Sequence, residues 1–77
     1  MITAVHIGQN AKGDNCGQAS IWFDDIRFSR DIINARDIRR VVAIAKDNNA
    51  PVFVHRFMAE MVKEALLSIK FGDVFYL

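Results

Sequence analysis

Four residues near the middle of the chain, Pro51-Val52-Phe53-Val54, are apolar without interruption and lie between two longer stretches of helical periodicity. A half-wet strand alternates apolar and polar side chains; an unbroken apolar run is the pattern of a strand covered on both faces. This segment therefore reads as the centre of the fold, with two helices and the remaining strands arranged around it.

The helix before it has a defined start. Asn34 as N-cap puts Asp37 at the third helical position, the spacing of a capping box, and Ile33 and Ile38 fall where a hydrophobic staple would sit. Ile38, Val41, Val42 and Ala45 then follow the i, i+3, i+4, i+7 spacing of a buried stripe. Asn48-Asn49 supplies a left-handed cap, and Pro51 forbids continuation. The second helix is expected over Phe57 to Lys70, with Met58, Met61, Val62, Ala65, Leu66 and Ile69 as its apolar stripe and Gly72 as its cap. Asp73 to Leu77 has the composition of a last strand.

The amino-terminal third is read as β-structure. Ile2 to Ile7 is rich in β-branched residues and apolar on both parities, and the polar, glycine-rich Gly8 to Gly17 reads as a mobile loop joining two antiparallel strands. From Ala19 to Phe28 the apolar face changes phase: Ile21 and Phe23 have one parity, Ile26 and Phe28 the other. Either a β-bulge or a tight turn at Asp24-Asp25 accounts for the switch, and the bulge is favoured because neither residue is the glycine that primed hairpin turns prefer. The resulting expectation is a single small α+β domain over residues 1–77 in the order ββαβαβ. It has a mixed sheet of about four strands, with both helices on one face.

A chain of 77 residues buries little more than ~60% of its unfolded surface, and one cysteine, Cys16, cannot staple it. Its apolar fraction of 52% stands above the ~45–50% of ordinary soluble domains, which points to apolar surface used in an interface and hence to a homo-oligomer. No apolar run reaches the ~18 residues a membrane helix needs, and Met1-Ile2-Thr3 lacks the basic start of a secretory leader, so a cytoplasmic protein is expected.

Net charge is +1, yet six basic side chains lie between Arg27 and Lys46 against only Asp31 and Asp37. Arg36 and Arg40 stand one turn apart on the first helix, and Arg39 leads to Lys46 along the adjoining line. Such a strip suits an acidic protein surface or phosphates, but Asp37 and Asp47 interrupt it and no aromatics are interleaved for base stacking. Asp24-Asp25, the only adjacent carboxylate pair, reads as a solvated or partner-contacting edge.

No constellation has the spacing of a recognised catalytic, metal or cofactor site. His6 and His55 alone are too few for zinc, which takes at least about three protein ligands. Gly8 and Gly13 have phosphate-loop spacing, but Asp14 and Asn15 stand where lysine and serine or threonine would meet phosphate. The sequence thus favours a non-enzymatic protein-binding module, of adaptor or inhibitor type, acting through a sheet edge and the basic face of the first helix. Its partner-binding residues are then Arg36, Arg39, Arg40, Lys46, Asp24 and Asp25. The alternative is a nucleic-acid-binding regulator using Arg36, Arg39, Arg40 and Lys46. A third reading is a small enzyme in which His6 or His55 activates Cys16.

Overall fold

The computed structural model describes residues 1–67 and 73–77. Its elements are β1 (Ile2–Gln9), β2 (Asn15–Phe23), β3 (Arg27–Asp31), α1 (Ala35–Asp47), β4 (Val52–Val54), α2 (Ala59–Ala65, entered through a 3₁₀ turn at Arg56–Met58) and β5 (Val74–Tyr76). The strands form one mixed sheet in the order β3-β2-β1-β4-β5, antiparallel among the first three and parallel from β1 through β4 to β5.

The α+β class, the mixed sheet and its two helices agree with the sequence reading, but the sheet has five strands rather than four. The extra strand comes from Asp24-Asp25, which is a tight turn and not a bulge: Phe23 N–H donates to Ile26 O at 2.8 Å, and β3 runs back along β2. Neither aspartate has a positive φ, so the turn is not a primed one and glycine is not required. The hairpin resolves the phase switch as a bulge would have done. It places Phe28 opposite Ile21 on the same side of the sheet.

That side is the covered one. Val5, Ile7, Val52 and Val54 are fully buried against Ile38, Val41 and Ala45 of α1 and Val62 of α2, in one continuous core. The helices sit over the centre of the sheet, and cover falls away towards β3, where Ile26 and Phe28 are about half exposed.

The ends of α1 follow the sequence closely. Asn34 accepts from the Asp37 amide at 3.1 Å while the Asp37 carboxylate accepts from Asn34 N–H at 3.3 Å and Ile33 N–H at 2.9 Å. The Ile33 amide above all holds the Asp37 carboxyl below its ordinary range against the opposing effect of desolvation, helped by the Asn34 amide and by Arg40 and Arg30. The staple does not close, since Ile33 is 80% exposed while Ile38 is buried. At the far end Asn49 adopts φ 52°, and Ala50 N–H donates to Ala45 O at 2.9 Å.

The expected stripe of the second helix holds at Met58, Val62 and Ala65, but Met61 is 45% exposed. Ile69, Lys70 and the proposed cap Gly72 lie outside the described residues. The Gly8 to Gly17 segment is shorter as a loop than expected, because β1 runs to Gln9 and β2 begins at Asn15. What remains is tied down: Asn10 Oδ1 accepts from the amides of Lys12 and Asp14, Gln9 Nε2 donates to Gly13 O, and Ala11 N–H donates to Ser29 Oγ at 2.8 Å.

Candidate functional site

Side chains alternate across a strand, so burial of Val5, Ile7, Val52 and Val54 under the helices sends their neighbours to the opposite side. Among the described residues, no helix covers that side. The register places Ser29, Ser20, His6, Phe53 and Phe75 in one row across all five strands, with Arg27, Trp22 and Ala4 in the next. β4 is therefore not covered on both faces by other layers, as its apolar run suggested. On the uncovered side Phe53 is flanked by rings from neighbouring strands and remains half-buried.

Those rings make a continuous stack. The Arg27 guanidinium carbon lies 3.6 Å from the centre of the Trp22 ring. Trp22 stacks on His6 at 4.1 Å with 16° between planes, His6 meets Phe53 at 4.9 Å, and Phe53 stacks on Phe75 at 5.6 Å and 26°. Rings that face their cross-strand neighbours stand upright on the sheet and turn their edges, not their faces, to solvent. Among the described residues of the stack, Phe75, 48% exposed on the edge strand, is the one with no ring on its outer face.

Polar groups within this face are satisfied. Trp22 Nε1–H donates to Oγ of the fully buried Ser20 at 2.8 Å. His6 Nδ1 lies 3.0 Å from His55 Nε2, a contact that one proton makes a hydrogen bond. Burial chiefly, then the neighbouring His55 and Arg27, lowers the His6 pKa to about 4, and burial lowers His55 as well. The pair is thus neutral at pH 7. Beside it, Trp22, Arg27, Thr3, Ala11, Asp24 and Asp25 help line an open-mouthed cavity of about 680 Å³.

The residues singled out from the sequence are dispersed. Arg36, Arg39, Arg40 and Lys46 are all exposed on α1, behind the sheet relative to the aromatic row. Asp24 and Asp25 are exposed at the β2–β3 turn, on the rim of the cavity. Cys16 is not in the loop but in the first turn-out of β2, half-buried, with its thiol towards Gln18 Oε1 at 3.5 Å. The two histidines are brought together. Among the described residues, no group of three or more His, Cys, Asp or Glu side chains converges on a point where a metal could sit, and no helix is long and apolar enough to cross a membrane.

Sequence reasoning missed the aromatic face. Its signal was Trp22, His6, Phe53 and Phe75 each sharing a parity opposite to the buried valines and isoleucines, and it becomes legible only once the strand register is known. Comparison with protein-family models, with curated proteins and with solved structures gave no match for this chain.

Proposed function

We propose that this protein is a non-enzymatic binding module that docks a protein partner on the uncovered face of its sheet. The observation that carries this reading is the upright stack from Arg27 through Trp22, His6 and Phe53 to Phe75. An apolar row ending in exposed Phe75 suits burial under an apolar protein surface, where aromatic side chains carry much of the binding energy. Bases, by contrast, stack on ring faces, and here the faces other than the outer one of Phe75 are occupied by neighbouring rings or by the Arg27 guanidinium. The exposed arginines of α1 would serve as a second, ionic contact for the same partner or another acidic protein, and Asp24 and Asp25 would meet basic groups at the rim.

The nucleic-acid reading rests on Arg36, Arg39, Arg40 and Lys46 and predicts an affinity that falls steeply with salt, with a logarithmic slope of about −0.9 per phosphate contacted on duplex DNA. Titration of single-stranded and duplex oligonucleotides into the protein over a range of salt distinguishes the two. The protein-binding reading expects no saturable binding, and a steep salt slope lost on replacing the four basic residues would overturn it.

A further inference from the structure

The β3 edge carries a self-complementary pattern. All five of its residues are exposed and it ends the sheet, so among the described residues one side of its backbone is unpaired. Phe23 N–H bonds Ile26 O and Ile32 N–H bonds Gly17 O, which fixes the alternation: Phe28 and Arg30 turn their backbone groups towards β2, and Arg27, Ser29 and Asp31 turn theirs outwards. An incoming antiparallel strand must match those three outward positions. For a second copy of β3 related by a two-fold axis, centring on any residue from Arg27 to Asp31 does so, but centring on Arg27 or on Asp31 sets that charge against itself and pairs only one end of the strand. Centring on Arg30 sets that arginine against itself, and centring on Phe28 sets Asp31 against Asp25 of the other copy. Like charges directly opposed are unfavourable. Centring on Ser29 opposes Arg27 to Asp31, Phe28 to Arg30 and Ser29 to Ser29, and uses every outward backbone group.

We propose that the protein forms a two-fold dimer in which β3 pairs antiparallel with β3 of a second copy about Ser29, joining the two sheets into one. Opposed residues in such a pair point to the same face, so both aromatic rows lie on one side of a ten-stranded sheet and the Arg27–Asp31 pairs bridge the seam between them. The charges that would repel a foreign edge become the register lock for a copy of the same chain. This assembly does not rest on the open-face reading. Phe53→Ser tests that face and leaves the dimer intact.

Light scattering at tens of micromolar protein is the test. Wild type is expected at twice the monomer mass of 8.7 kDa, Arg27→Asp at the monomer mass, and Arg27→Asp with Asp31→Arg again at twice it. Arg27 and Asp31 are four residues apart on one strand, too far to rescue each other within a chain. A covalent trap covers the case in which Arg27→Asp fails to fold. On a Cys16→Ser background, Ser29→Cys is expected to form a disulfide-linked dimer under mild oxidation, since Cα atoms of such a pair lie about 5.5 Å apart. Phe28→Cys, off the axis, is expected not to. A wild-type mass of 8.7 kDa would overturn the proposal. So would a dimer that persists in Arg27→Asp and is not trapped through position 29.

Discussion

His6 and His55, 49 residues apart in sequence, meet nitrogen to nitrogen at 3.0 Å on the uncovered face of the sheet. Their ring centres are 5.3 Å apart, the nitrogen separation plus the two ring radii, so the nitrogens point at each other. That is the geometry of a shared proton rather than of two ligands converging on a metal. The pair has room for one proton between the rings and, in an environment that resists charge, accepts a second ionisation poorly.

A pH dependence follows. In the unfolded chain His6 titrates at its ordinary value of 6.5, whereas in the fold it titrates at about 4, so between those values the unfolded state binds the extra proton. Stability conferred by the neutral pair is complete above the unfolded value and falls as pH drops through that window. The urea midpoint is therefore expected to be lower at about pH 5 than at about pH 7.5, with a smaller difference in a His6→Phe, His55→Gln variant. Equal pH sensitivity in the two proteins would contradict this account.

Gly8 and Gly13 separate backbone strain from close packing. Both have positive φ, 94° and 89°, but a β-carbon on Gly8 would lie 3.0 Å from Met58 Cγ and 3.1 Å from His55 Cβ, while one on Gly13 would meet nothing within 4 Å. Gly13→Ala should cost roughly 1 kcal/mol for its φ alone, and Gly8→Ala distinctly more, in the range of about 2–3 kcal/mol. Equal costs in thermal or urea unfolding would show that β1 and the 3₁₀ turn do not approach as described.

Replacing Asn34 by alanine removes the acceptor for the Asp37 amide and is expected to cost about 1 kcal/mol, with Asn34→Asp close to neutral. Reversing Arg36, Arg39 and Arg40 to glutamate, by contrast, should change stability by no more than about 1 kcal/mol, because all three are exposed and none packs on the core. A large loss in the triple variant, measured by urea unfolding, would mean that these side chains serve the fold rather than a partner.

Much of the fold could be read directly because local signals and tertiary structure agree. Asn34 and Asp37 start α1, Asn49 ends it, and Val52 and Val54 are buried where the apolar run places them. What failed depended on long-range pairing. The parity switch around Asp24-Asp25 fits a bulge or a hairpin, the absence of glycine tilts the reading towards the bulge, and only the pairing of Arg27 to Asp31 with β2 selects the hairpin. The site was less legible for the same reason. His6, Trp22, Phe53 and Phe75 come from four strands, and no local spacing announces that they stack. Exposed charge on α1 is visible from periodicity, so it drew the functional reading towards Arg36, Arg39 and Arg40.

The most direct test of the open-face account places a photo-activated cross-linking residue at Phe75 in one variant and at Ala43, exposed on α1, in another, and irradiates each in its native host cells. The account predicts nuclease-resistant protein adducts from position 75 that disappear when Phe53→Ser is added, and few from position 43. Adducts formed chiefly from position 43, or adducts from position 75 that nuclease removes, would contradict it.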